Sequence, residues 1–407
     1  MTKITDIPAI RFKGFSDTWE QRKLGDIADI VGGGTPSTGN QSYWDGDIDW
    51  YAPAEIADQI YANSSQKKIT GLGYENSSAK MLPPGTVLFT SRAGIGKTAI
   101  LTRKGCTNQG FQSIVPHRGE LDSYFIFSRT EELKRYGELV GAGSTFVEVS
   151  GKQMAVMELM MPPTMREQQT IGGFFQQLDH LITLHQRKYD KLTNVKKSML
   201  EKMFPQNGSN APEIRFKGFT EAWEQRKVGE LLIERNEQAP KSEEYPLMAF
   251  IANEGVAPKG ERYDRSSLVT DTENKLYKKT ECGDFIYSSN NLETGSIGLN
   301  KYGKACISPV YSIFQPTGIA DSNFLGRRLV RKDFINSMVK WRQGVIYGQW
   351  RIHESDFLKI EIPVPSVEEQ KQIGTFLDYL DNLITLHQRE LEKLKNLKKA
   401  CLEKMFV

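Results

Sequence analysis

The chain has 407 residues, too many for one hydrophobic core, so at least two domains are expected. Hydrophobic residues make up 39% and charged residues 25%, ordinary for a soluble globular protein, and no run approaches the about 18 apolar residues of a membrane span. Net charge is +3, and residues 1–160 (17 basic, 18 acidic) and 214–362 (22 basic, 20 acidic) are each near neutral, which excludes nucleic-acid binding through bulk positive charge. The first residues carry no apolar stretch of signal-peptide type. Cys106, Cys282, Cys306 and Cys401 show no CxxC spacing, so a reducing cytoplasm is expected.

In chain order, the first block is Ile10-Arg-Phe-Lys-Gly-Phe15, followed by Trp19-Glu-Gln-Arg-Lys23. Both return 204 residues later, at Ile214–Phe219 and Trp223–Lys227. Two more blocks recur at an offset of 202: Leu181–Arg187 as Leu383–Arg389, and Leu200-Glu-Lys-Met-Phe204 as Leu402–Phe406. Four blocks in one order at nearly one spacing mark an internal duplication. The centres differ, since Gly32-Gly-Gly-Thr-Pro36 and Trp44–Trp50 have no good counterpart in 235–350. Shared flanks with unlike centres suggest one scaffold carrying two different reading heads; drift without consequence is the plain alternative.

Short β-rich runs dominate the centres: Thr86–Thr90, Gln112–Val115, Asp284–Tyr287 and Tyr311–Gln315. Ser91-Arg-Ala-Gly-Ile-Gly-Lys-Thr98 ends like a phosphate-binding loop but has Ser91 where that motif needs glycine, and Leu299 replaces its lysine in the second copy. It reads instead as a strand–turn–strand with Lys97 and Thr98 available at the tip. No N/D-P-P-Y/F, GxGxxG after a strand, HExxH or GxSxG occurs, so the pattern offers neither catalytic residues nor metal ligands for an enzyme acting alone.

Two long helices are predicted. Thr164 and Ser366 follow prolines, and Glu167 and Glu369 stand three residues on, as in a capping box. Counting in sevens gives a seam of Ile171, Leu178, His185, Leu192 and Met199, and another of Ile373, Leu380, His387, Leu394 and Cys401. The first helix should end near Phe204, before a linker rich in turn residues. Two such stripes in one chain most simply pair antiparallel, with a pseudo-twofold. His185 and His387, equivalent on the seam, read either as a pH-sensing pair or as register-setting hydrogen-bonding residues.

Candidate base and phosphate contacts are the basic, amide and aromatic residues of the two centres. In the first copy these are Lys67, Lys68, Arg92, Lys97, Thr98, Asn108 and Gln109. In the second they are Asn290, Asn291, Lys301, Tyr302, Lys304, Arg342, Tyr347, Gln349 and Arg351.

This order of features resembles the specificity subunits of type I restriction-modification enzymes. The resemblance rests on the repeated Phe-x-Gly-Phe…Trp-Glu opening, on the phrases Pro162–Gln168 and Pro363–Gln370, and on Thr90-Ser-Arg92…Gly96…Asn108-Gln-Gly110. The second half lacks an Asn-Gln-Gly phrase. The resemblance implies a non-catalytic subunit whose two target-recognition domains each read one half of a bipartite, asymmetric DNA site, with the helices setting the spacer. Double-stranded DNA, two methyltransferase subunits and restriction/translocase subunits would be its partners. S-adenosylmethionine, ATP and Mg would reside on those partners and not on this chain.

The expected fold class is α+β: two globular mixed α/β target-recognition domains joined by two long antiparallel coiled-coil helices, with an internal pseudo-twofold repeat. The segments are 1–160 and 206–362 for the recognition domains, and 161–205 and 363–407 for the helices. A structural adaptor with two peptide-binding domains is the rival reading.

Overall fold

The computed structural model describes residues 7–56, 59–92, 94–142, 148–206, 208–258, 275–290, 292–346 and 349–407. The chain folds as two compact units, residues 1–186 with 389–407, and residues 187–388. Among the described residues no helix is long and apolar enough to cross a membrane, and all four cysteines are free.

The two long helices span Met165–Lys202 and Val367–Met405, 38 and 39 residues, or about 57 Å of rod each at 1.5 Å per residue. Their starts explain the repeated Glu-Gln phrase. Thr164 Oγ1 accepts from the Glu167 amide at 3.3 Å, the expected N-cap bond. The Glu167 carboxylate, however, takes two bonds from Arg11, at 2.6 and 2.8 Å, and one from the Trp19 indole at 3.3 Å. In the second copy Arg215 grips Glu369 at 2.9 and 2.7 Å. Gln168 and Gln370 hold the next element. Their side-chain oxygens accept from the amides of Asp122 and Asp321, which cap the helices Ser123–Ser128 and Ser322–Arg328. These short helices dock where glycine leaves room. A Cβ on Gly172 would stand 2.5 Å from Asp122 Oδ1, and one on Gly374 2.7 Å from Asp321 Oδ1.

In the first unit, strand Glu20–Lys23 pairs antiparallel with Glu158–Met161 just before the long helix. A five-stranded sheet runs in the order Ala28–Gly32, Gln112–Pro116, Val87–Phe89, Thr98–Leu101, Tyr61–Ala62. A three-stranded sheet has Trp44–Tyr51 between Lys67–Ile69 and Gly105–Thr107. The core gathers Trp19, Leu24, Phe89, Phe125, Ile171 and Phe175, and the end of the second long helix completes it with Cys401 and Met405. Phe406 stacks on Phe175 at 5.8 Å, and Lys398 pairs with Asp179 at 2.7 Å. The two helix segments therefore run antiparallel within this unit.

The second unit repeats the plan. Glu224–Lys227 pairs with Glu361–Val364, and a four-stranded sheet runs Leu232–Glu234, Ser312–Pro316, Phe285–Tyr287, Ile297–Leu299. Here the end of the first long helix enters the core, with Met203 and Phe204 buried. Phe204 stacks on Phe324 at 5.5 Å, and Lys196 pairs with Asp381 at 2.5 Å, the counterpart of Lys398 and Asp179.

Along the seam Ile171, Leu178, Ile373, Leu380 and Cys401 are buried, while His185, Leu192, Met199, His387 and Leu394 are half-buried. Phe175 and Leu377, outside the sevens, are fully buried too, so the apolar stripe is wider than a strict seam.

Asp381 also accepts from Arg327. Burial alone would raise its carboxyl, but hydrogen bonds and charges from Lys196 and Arg327 outweigh that and hold it below the usual carboxylate range. A carboxyl lowered on folding contributes stability above its unfolded value, about 3.9, and loses it as pH falls through the folded value. Thermal melts from pH 7 down to about pH 2 (a scan that passes below the unfolded value, where the contribution is lost) should therefore show wild type losing more stability than Asp381→Asn. Parallel curves would remove Asp381 from the acid response.

Candidate nucleic-acid interface

Loops at one end of the first unit's sheets bring several expected residues together. The Asn108 amide donates to Tyr51 O at 3.0 Å, and Asn108 Oδ1 accepts from the Gly110 amide at 2.8 Å. This turn projects Gln109 into solvent, where the Thr35 hydroxyl donates to Gln109 Oε1. Gly110 O accepts from the Ser91 amide at 2.8 Å, which places half-buried Arg92 beside the turn. A Cβ on Gly110 would stand 3.5 Å from Arg92 Nε.

The glycine run is needed here for close approach. A Cβ on Gly33 would lie 2.0 Å from Asn108 O, and one on Gly34 2.3 Å from Ser78 Oγ. Arg92 and Asn108, half-buried, and Gln109, exposed, thus form one amide and guanidinium cluster, the groups that make bidentate contacts with base edges. Thr35 is an addition. Its place in the glycine run was visible, but its contact with Gln109 spans 74 residues.

The segment Ser91–Thr98 joins two antiparallel strands, with no helix after it, so it is a hairpin and not a nucleotide loop. Lys97 is exposed, as expected. Thr98 is not available at the tip. It is 7% exposed, and its hydroxyl bonds that of Thr130 at 2.7 Å, because the side chain points onto the helix Thr130–Gly141.

Other expected cations are already paired. Lys68 lies 3.4 Å from Asp49, and Lys67 sits over the Trp44 ring at 5.9 Å. In the second unit Lys301 meets Asp378 at 3.2 Å, Lys304 meets Glu244, and Arg342 meets Glu293 at 3.1 and 2.8 Å. Tyr302 is exposed. The Ser289 hydroxyl accepts from the Ile352 amide at 3.1 Å, which sets half-buried Asn290 beside strand Gln349–Arg351, where Arg351 is exposed. Asn291 and Tyr347 lie outside the described residues. The two candidate surfaces therefore share a framework but not a set of candidate contact residues, and their charge is local and largely balanced.

The chain matches, over residues 16–194 and again over 220–396, the family described as type I restriction modification DNA specificity domain. The type I restriction enzyme MjaIX specificity subunit of Methanocaldococcus jannaschii is 31% identical over 237 residues, 56% of this chain and 55% of that one. The aligned part thus spans about half the length of that relative. The putative MjaX specificity subunit of the same organism is 24% identical over 422 residues, covering 98% of this chain and 93% of the relative. Among solved structures, the S subunit of a type I restriction-modification system from M. genitalium aligns with a TM-score of 0.59 at 14% identity, over 98% of this chain and 99% of the other. That likeness shows the fold: mixed helix and sheet, in two copies.

Proposed function

The chain belongs to the type I restriction-modification DNA specificity family, and on that premise we propose that it is the sequence-specific DNA-recognition subunit of such a complex. Each recognition domain reads one half of a bipartite, asymmetric site, and the long helices set the unread spacer. The observation that carries this reading is the duplication itself. Two units repeat the same Arg–Glu clamp, strand pair and helix dock, yet their exposed loops present different residues. A repeated frame with unlike reading surfaces suits an asymmetric target.

The subunit itself is non-catalytic in this reading. Two methyltransferase subunits bring S-adenosylmethionine chemistry, and restriction/translocase subunits bring ATP- and Mg-dependent translocation and cleavage, all in the cytoplasm. Partners also supply positive surface that this near-neutral chain lacks.

The test is selection from a random duplex pool by the chain assembled with its methyltransferase subunits. Enrichment of two fixed blocks separated by a constant number of unread positions, with affinity falling as salt rises, is the expected result. Absence of enrichment with salt-insensitive binding would favour the adaptor reading.

A further inference from the structure

We propose that Arg103 and Lys68, tethered to the buried carboxylate of Asp49, form a clamp for a backbone phosphate of duplex DNA beside the Asn108–Gly110 loop. The inference rests on the DNA-recognition reading above and gives the first unit a grip distinct from its base-reading loop.

Asp49 lies on the central strand of the three-stranded sheet, opposite Lys68 on one side and Gly105 on the other. Its side chain is 3% exposed. Its Oδ1 accepts from the Ser65 amide at 3.0 Å and the Ser64 hydroxyl at 3.2 Å, and lies 3.0 Å from the Ser65 hydroxyl, whose single proton it shares with Lys67 O at 2.5 Å. Arg103 Nε reaches Asp49 Oδ2 at 2.6 Å, and Lys68 Nζ lies 3.4 Å from Oδ1. The two cations are nevertheless open to solvent, Arg103 at 51% and Lys68 at 35%.

The carboxylate receives its serine donors and Lys68 at Oδ1 and Arg103 at Oδ2, so each cation completes one of its oxygens. What it does for them is fix two mobile heads in one place. Arg103 is held through Nε, so its terminal N–H groups keep the planar fork that suits a phosphate. Position fits as well. Asp49 precedes Tyr51 by two residues, about 6.8 Å along a strand, and Tyr51 O anchors the Asn108 turn. That separation matches two base-pair steps along the duplex axis at roughly 3.4 Å each. Lys68 and Arg103 are 35 residues apart, which is why the pair is invisible in the sequence.

The test uses the full chain with its methyltransferase subunits, and two fluorescent duplexes: one bearing the site the complex methylates, one scrambled. Affinity is measured from 50 to 200 mM salt (a range over which phosphate contacts are read out). Arg103→Ala should weaken both duplexes by the same factor. Its slope of log affinity against log salt should fall by about 0.9, so the fourfold rise in salt costs it about 3.5-fold less than wild type. Preference for the cognate duplex should not change. Asp49→Asn separates positioning from charge, since it removes a negative charge and by charge alone should tighten binding. The clamp predicts weaker binding, with a circular-dichroism melt showing the fold intact. An unchanged slope in Arg103→Ala, or tighter binding by Asp49→Asn, overturns the clamp. A change confined to the cognate duplex also overturns it, because it makes Arg103 a base contact. A wild-type complex that cannot tell the duplexes apart instead overturns the DNA-recognition reading beneath it.

Discussion

Glu167→Ala is expected to cost the first unit about 3–5 kcal/mol, because it strands the Arg11 guanidinium in a nearly closed site. Arg11 is 10% and Glu167 1% exposed, so solvent replaces the lost partner only in part. The indole N–H of Trp19 loses its acceptor in the same step. A domain whose whole stability is about 5–15 kcal/mol tolerates that loss poorly. Glu369→Ala removes the carboxylate partner of Arg215 in the second unit, where Nη1 keeps its bond to Glu221 O at 2.6 Å and the loss should be smaller. Urea unfolding of both variants, with m-values compared to wild type, checks the expectation. Losses below about 1 kcal/mol, the range of an exposed pair, would show that the clamp is not a structural closure.

Phe204→Ala should be comparably severe, about 3–5 kcal/mol, for a different reason. Phe204 is fully buried at the end of the first long helix, stacked on Phe324 and edge-on to Trp223 at 6.2 Å. Arg331 covers its other side, with the guanidinium 5.2 Å from the ring centre, and donates to Leu200 O at the helix end. Removing the ring leaves a cavity and an arginine without its platform. Phe204→Leu should recover part of the loss by filling the cavity. If alanine and leucine behave alike, packing at this site is not what joins the helix end to the core.

Much of the frame was legible in the sequence. The duplication, the two long helices and their starts follow from repeated blocks and helical spacing, and the strands at 87–89, 112–116, 285–287 and 312–316 lie where β-rich runs predict them. The chemistry behind the Glu-Gln phrase was not legible. A local capping box accounts for Glu167 by spacing alone, whereas its carboxylate is claimed by Arg11 from 156 residues away. The destination of each helix end was equally hidden. Leu-Glu-Lys-Met-Phe is identical in the two copies, so its sequence is silent on which core each phenylalanine enters. The structure assigns Phe406 to the unit of Trp19 and Phe204 to that of Trp223.

At the candidate surface, residue type picked out Arg92, Asn108 and Gln109, which the fold brings together. It misjudged Thr98, because a hairpin tip gives no sign of which side chains turn inward. It also picked Lys68, Lys301, Lys304 and Arg342, each of which meets a carboxylate brought by the fold. Asp49 and Arg103 passed unnoticed for the same reason.

The central claim is that the two units are independent readers on one frame. It is tested most directly by replacing residues 31–150 with the corresponding segment of a relative of different specificity and sequencing the methylome of cells carrying the chimera with its partner subunits. One half of the methylated sequence is expected to change while the other half and the spacer stay the same. An unaltered motif, or one altered in both halves, would contradict it.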